Sequence, residues 1–94
     1  MDTEKLIKNN EGTIVDVRTR GEFMGGSVAG AVNMPLNEIP LRLDELKEMK
    51  TPLIFCCATG NRSGQATHYV SRQGIECVNG GSWLEVNFLT SQEV

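Results

Sequence analysis

Leu53-Ile54-Phe55-Cys56-Cys57-Ala58-Thr59-Gly60-Asn61-Arg62-Ser63-Gly64 is the stretch on which the fold turns. Its apolar start, Leu53 to Cys56, reads as a strand buried on both faces, and small residues follow where a loop is needed. A helix is expected from about Arg62 to Gln73, with Gly74 leaving it in a left-handed cap. A buried strand that feeds a loop and then a helix is the repeating unit of an α/β protein. A cysteine at the carboxyl end of such a strand lies in the crevice where these folds bind ligands, near loop amides and the positive end of the next helix. Both effects favour thiolate over thiol at Cys57. Gly60 is free to adopt positive φ and turn successive N–H groups inward as an anion-binding nest. Arg62 adds a permanent positive charge, and its planar fork is expected to bond loop carbonyls or an incoming anion.

Working outward, three further runs have strand character: Thr13 to Val17, Ala31 to Met34 and Ile75 to Val78. Helix signals separate them. Thr19-Arg20-Gly21-Glu22 has capping-box spacing, and Gly25-Gly26 should end that helix quickly. Asn37 is the expected N-cap of a longer helix with Ile39, Leu43, Leu46 and Met49 on one face and Pro40 in its first turn. Ser82 is the expected cap of a last helix carrying Trp83, Leu84, Val86 and Leu89. Alternating strands and helices predict a small parallel sheet with helices on both faces. With 94 residues and 39% apolar content, the expectation is one domain over residues 1–94, its core spanning about 13–89.

Composition narrows the function. The net charge is −3 with no basic stripe, which argues against nucleic acid. Acids in Met1-Asp2-Thr3-Glu4-Lys5, with no long apolar run after them, predict a cytoplasmic protein that does not engage membranes. Three cysteines, two of them adjacent, and one histidine offer neither a disulfide framework nor a zinc site, so no metal or other cofactor is expected. Strand alternation turns Cys56 away from Cys57 and into the core. Cys77 reads as packing, and so do Trp83 and Phe88, although an aromatic beside Gly80-Gly81 also suits the mouth of a site. His68 lies six residues beyond Arg62, about 9 Å along a helix, too far to serve Cys57.

The segment Cys57-Ala58-Thr59-Gly60-Asn61-Arg62-Ser63 resembles the active loop of the rhodanese-like, or thiosulfate sulfurtransferase, family, Cys-x-x-Gly-x-Arg-Ser. Two other stretches carry the same resemblance: Val15-Asp16-Val17-Arg18 with Glu22-Phe23 and Gly30-Ala31-Val32-Asn33-Met34-Pro35, and Asn79-Gly80-Gly81-Ser82-Trp83. The resemblance spans about residues 13–89. It implies that Cys57 and Arg62 are catalytic, that Ala58, Thr59, Gly60, Asn61 and Ser63 form the substrate-binding loop, and that Asp16, Arg18 and Glu22 support the structure. It further implies transfer of sulfane sulfur from thiosulfate or a persulfide to a thiol or cyanide through a Cys57 persulfide, with a sulfur-relay or redox protein as a further partner. Two departures stand out. Gly26-Ser27-Val28 replaces the family's frequent Gly-His-Ile, and the loop residues Ala58, Thr59 and Asn61 are neutral where thiosulfate-preferring members often add a cation. Thiosulfate is therefore expected to be a poor or surrogate donor.

Two alternatives belong to other classes. Cys56-x5-Arg62 formally meets the signature of cysteine-dependent phosphatases and arsenate reductases. The glycine, however, falls three residues after Cys57, and no histidine precedes the cysteine. A non-catalytic binding module of the same fold is the other alternative, but such modules commonly lose the cysteine that this chain keeps.

Overall fold

A computed structural model describes residues 2–92; Met1, Glu93 and Val94 lie outside the described residues. The elements run α1 Thr3–Lys8, β1 Thr13–Asp16, α2 Arg20–Met24, β2 Val32–Asn33, a 3₁₀ helix Leu36–Leu41, α3 Leu43–Lys47, β3 Leu53–Cys57, α4 Asn61–Ser71, β4 Cys77–Ser82 and α5 Trp83–Thr90. The four strands form one parallel sheet in the order β2-β1-β3-β4. β3 lies inside the sheet, and all five of its residues are buried, as its unbroken apolar run predicts.

Alternation along β3 divides the core in two. Leu53, Phe55 and Cys57 pack with Val15, Val17, Met34, Ile39, Leu46, Ala66, Val70 and Ile75. Ile54 and Cys56 pack on the other face with Ile7, Val28, Val86 and Leu89. Each large apolar side chain removed from water contributes roughly 1.5–3 kcal/mol before chain entropy is set against it. Helices therefore cover both faces, as expected.

Several local expectations are corrected. The helix from Asn37 breaks in two, a 3₁₀ helix entered at Pro35 with no side-chain cap and the short α3. Because the turn starts at Leu36, Pro40 falls four residues in, where it has no N–H to give and its ring would meet the Leu36 carbonyl of an α-helix. β4 runs Cys77–Ser82 rather than from Ile75. Its register slips against β3 between Phe55 and Cys56, so that Phe55 faces Asn79 but Cys56 faces Gly81, and Gly80 is the extra residue. A Cβ on Gly80 would stand 2.9 Å from Ile54 Cγ2 and 3.1 Å from the Phe55 oxygen, so the strands approach this closely only around a hydrogen. α1 lies ahead of the expected core, yet its Ile7 is buried. Phe88 is not core: it is 57% exposed on α5, beside Leu84 one turn earlier at 62%. Among the described residues, no helix is long and apolar enough to cross a membrane.

Candidate active site

β3 delivers Cys57 to the carboxyl edge of the sheet, where it pairs with Ser82 of β4, and the three residues Ala58–Gly60 then reverse the chain into α4. Gly60 takes φ +101° and ψ −7° at the N-cap of α4, a conformation costly for any residue with a Cβ, and it offers no side chain to cap the helix. The Cys57 sulfur fills that role. Sγ accepts the Gly60 N–H at 3.0 Å and the Ser63 N–H at 3.4 Å, the latter being the third amide of the helix and otherwise without a partner. The Ser63 hydroxyl lies 3.3 Å from the same sulfur. Burial opposes ionisation of Cys57. Hydrogen bonds from the Ser63 hydroxyl and from the amides of Ser63, Gly60 and Thr59 outweigh it and bring the thiol below its ordinary range.

The expected loop residues divide by what they present. Gly60 and Ser63 face the sulfur, whereas the side chains of Ala58, Thr59 and Asn61 are exposed, with Asn61 bonded to Gln65 at 3.2 Å. Of those three only Thr59 acts on the sulfur, through its backbone amide. Cys57 is 1% exposed, beneath its own loop.

Arg62 differs from its expected partners. Its fork bonds neither loop carbonyls nor open space but clasps Glu22 of α2, Nη1 to Oε1 at 2.7 Å and Nη2 to Oε2 at 2.9 Å. The capping box places Glu22 there: Thr19 and Glu22 satisfy each other's amides, with Thr19 N–H donating to the Glu22 carboxylate at 3.1 Å and Glu22 N–H to Thr19 Oγ1 at 3.2 Å. The Arg62 guanidinium, with help from the Thr19 amide, holds the Glu22 carboxyl down to about 2. Arg62 also edges a shallow apolar hollow lined by Val17, Thr19, Pro35, Leu36 and Asn37.

Asp16 and Arg18 form the expected pair, buried, with Nη2 to Oδ2 at 2.8 Å. Arg18 also donates to the Gly26 oxygen at 2.6 Å and lies 4.6 Å from the centroid of the Trp83 ring. Trp83 is therefore the floor on which a buried arginine lies, a cation–π contact joining the loop between β1 and α2 to the start of α5. Asn33 ties the same corner by donating to the Asp16 and Arg18 oxygens at 3.0 Å. Cys56, one residue before the nucleophile candidate, is fully buried on the opposite face, and its surroundings push the thiol up to about 12 through burial and the nearby Asp16. That orientation removes the Cys56-x5-Arg62 register. Cys77 is half-buried with a burial-raised thiol. His68 is exposed on α4.

One participant had no advance signal beyond its place in Asn79-Gly80-Gly81, which reads as a turn. Asn79 is a strand residue on the Cys57 side of the sheet, and its amide bonds Ser63, Gly60 and Gly81.

A rhodanese-like domain model matches residues 2–84. The chain belongs to the rhodanese-like domain family. It is 32% identical over 72 residues to a sulfurtransferase of Allochromatium vinosum, an overlap of 77% of this chain and 66% of that protein. A putative sulfurtransferase of Bacillus subtilis, YtwF, is 32% identical over 76 residues, covering 81% of this chain and 73% of YtwF. Among solved structures, a rhodanese-related protein from Thermoplasma volcanium superposes with a TM-score of 0.79 at 27% identity, covering 97% of this chain and 91% of that one. The chain thus spans about two thirds of its Allochromatium relative.

Proposed function

We propose that this rhodanese-like domain is a sulfurtransferase in which Cys57 carries sulfur as a persulfide. The observation that carries the reading is the placement of Cys57 Sγ as the cap of α4, where two amides point at the sulfur and favour its thiolate. The thiolate attacks the outer sulfur of a donor. With thiosulfate, the new Cys57 S–S bond takes the place of the donor's S–S bond and sulfite leaves with that bond's electron pair. A second nucleophile then attacks the terminal sulfur, so cyanide leaves as thiocyanate, or a thiol as a persulfide, and the Cys57 thiolate is restored. The depressed thiol supplies its own nucleophile near neutral pH without a general base.

Arg62, held by Glu22, keeps a positive charge beside the loop while fixing the start of α4 against α2. The names of relatives support sulfur transfer as the activity, and the Cys57-x4-Arg62 loop, one residue shorter than the Cys-x5-Arg phosphatase signature, supports one-atom transfer over transfer of a phosphoryl group. Thiosulfate and persulfide donors, thiol and cyanide acceptors, and a sulfur-relay or redox protein all fit this chemistry. A reduced, cytoplasmic setting suits it as well.

The test is to incubate the reduced protein with thiosulfate or with a glutathione persulfide, remove the donor, and record intact mass and transfer to cyanide. A single added sulfur, absent from Cys57→Ser, retained in Cys56→Ser and discharged by cyanide, is the expected result. Failure of both donors to leave a sulfur on Cys57 refutes the proposal.

A further inference from the structure

Asn79 has a fixed orientation. Its Nδ2 donates to the Gly60 carbonyl at 3.2 Å and its Oδ1 accepts the Gly81 N–H at 3.0 Å. Turning the amide over would set oxygen against oxygen and donor against donor, so both backbone contacts would be lost. Oδ1 is therefore the atom that faces the Ser63 hydroxyl, 2.7 Å away, and being an acceptor it requires the Ser63 proton. The same hydroxyl oxygen lies 3.3 Å from Cys57 Sγ. Ser63 is fully buried, so water does not offer its hydroxyl a third choice.

One proton thus has two claimants. While Cys57 is a thiol there is no conflict: the S–H donates to Ser63 Oγ, and Ser63 donates to Asn79. Once the sulfur is a thiolate, neither it nor Asn79 Oδ1 carries a proton, and the hydroxyl serves one only by deserting the other. The heavy atoms need not move, because rotation about the serine Cβ–Oγ bond suffices.

We infer that Asn79 is a positioning residue for Cys57, acting through the Ser63 hydroxyl: it holds that proton off the sulfur in the thiol and competes for it in the thiolate. The inference rests on the reading of Cys57 as the nucleophile. The charged or titratable groups near Cys57 are Arg62 of α4 with its partner Glu22 of α2, Asp16 and Arg18 at the end of β1, and Cys56 of β3. Among the described residues, Asn79 bonds Gly60, Ser63 and Gly81 and none of these. Two of its partners touch the sulfur, Ser63 through its hydroxyl and Gly60 through its N–H, and the influence is assigned to Ser63.

Asn79→Leu keeps the size of the side chain and removes both the Oδ1 acceptor and the Nδ2 bond to the Gly60 carbonyl, which a Ser63→Ala background separates. The Ser63 proton then belongs to the sulfur alone, and the midpoint of the pH profile for Cys57 alkylation by iodoacetamide falls by about one unit, roughly tenfold more thiolate below the midpoint. In a Ser63→Ala background the same change leaves the midpoint in place. An unchanged or raised midpoint with Ser63 present, or an equal fall without Ser63, overturns the inference. Should the leucine variant fail to fold, Asn79→Asp replaces it. Its carboxylate pulls harder on the Ser63 proton, so the midpoint rises more with Ser63 than without it; equal rises overturn the inference. Alkylation does not depend on sulfur transfer. An expected shift in a protein that never loads sulfur from either donor therefore leaves Asn79 in its role and refutes the transferase reading instead.

Discussion

Replacing Gly60 by alanine puts a Cβ on a residue held at φ +101°, and the consequences follow from the geometry around it. The new Cβ meets Gly81 Cα at 3.4 Å, an ordinary contact, so the cost lies in the backbone rather than in collision. An L-residue in this region costs about 1–2 kcal/mol. The strain has two outlets. If the loop holds its shape, it appears as lost stability, and the melting temperature falls by about 4–8 °C for each kcal/mol in a domain of this size. If the peptide before residue 60 rotates to relieve it, the N–H that donates to Cys57 Sγ at 3.0 Å turns away. A hydrogen bond to a charged group contributes about 1.5–3 kcal/mol, so losing half of one raises the thiol midpoint by about half a unit to one unit. Calorimetry and the pH dependence of alkylation, measured on the same variant, are expected to divide about 1–2 kcal/mol between them. Gly30→Ala is the control, at φ +82° with no heavy atom within 4 Å of the added Cβ and beside a second hollow, lined by Gly12, Thr13 and Ile14 at the start of β1. It should lose stability and leave the midpoint alone. A Gly60→Ala protein unchanged in both measurements, or a Gly30→Ala protein with the same midpoint shift, refutes the argument.

Other outcomes follow from the same contacts. Glu22→Gln removes the charge that balances Arg62, so the guanidinium acts on the sulfur unopposed, and the alkylation midpoint of Cys57 is expected to fall; a rise would show that the pair matters through loop position instead. Arg62 lowers the Glu22 carboxyl from 4.5 to about 2, and Arg20 with Arg42 does the same for Glu38. The stability these carboxylates give is present above the ordinary value near 4.5 and is lost as pH falls toward about 2, so a Glu22→Gln/Glu38→Gln protein should show a flatter loss of helical circular dichroism across that window. Gly80→Ala forces a methyl against Ile54 and the Phe55 oxygen and should cost about 1–3 kcal/mol in urea unfolding; a loss below about 0.5 kcal/mol would mean that the bulge yields freely.

The sequence makes some features legible and hides others for physical reasons. β3 is readable because a strand buried on both faces leaves a continuous apolar run, and the capping box at Thr19 because its two partners lie three residues apart. Cys57, Gly60 and Ser63 are readable for the same reason: the loop around the sulfur is local. The partner of Arg62 is not, since Glu22 is 40 residues away and only the packing of α2 against the head of α4 brings them together. Asn79 is hidden differently. Asparagine before two glycines has the local signature of a turn, and only the register of β4 against Phe55 reveals that it faces the helix. The break after Leu41 depends on where the 3₁₀ turn begins, which the Ile39, Leu43, Leu46 and Met49 spacing does not specify.

The placement of Cys56 and Cys57 on opposite sides of one strand gives the domain an internal gauge of its own opening. Both thiols are buried, but Cys57 lies beneath its own short loop, whereas Cys56 is reached only when Ile7, Val86 and Leu89 part from the sheet. Modification of Cys57 therefore reports local movement of that loop, and modification of its chain neighbour reports the fraction of time the α1 and α5 layer is open. The Cys57 rate should exceed the Cys56 rate by the difference in free energy between moving one loop and parting a whole layer, before allowance for the higher intrinsic reactivity of Cys57. Because the pair resides in a single peptide, one mass spectrum records both and cancels differences in digestion and recovery. A ligand that seats on the loop alone would slow the first without the second, while one that stabilises the whole fold would slow both.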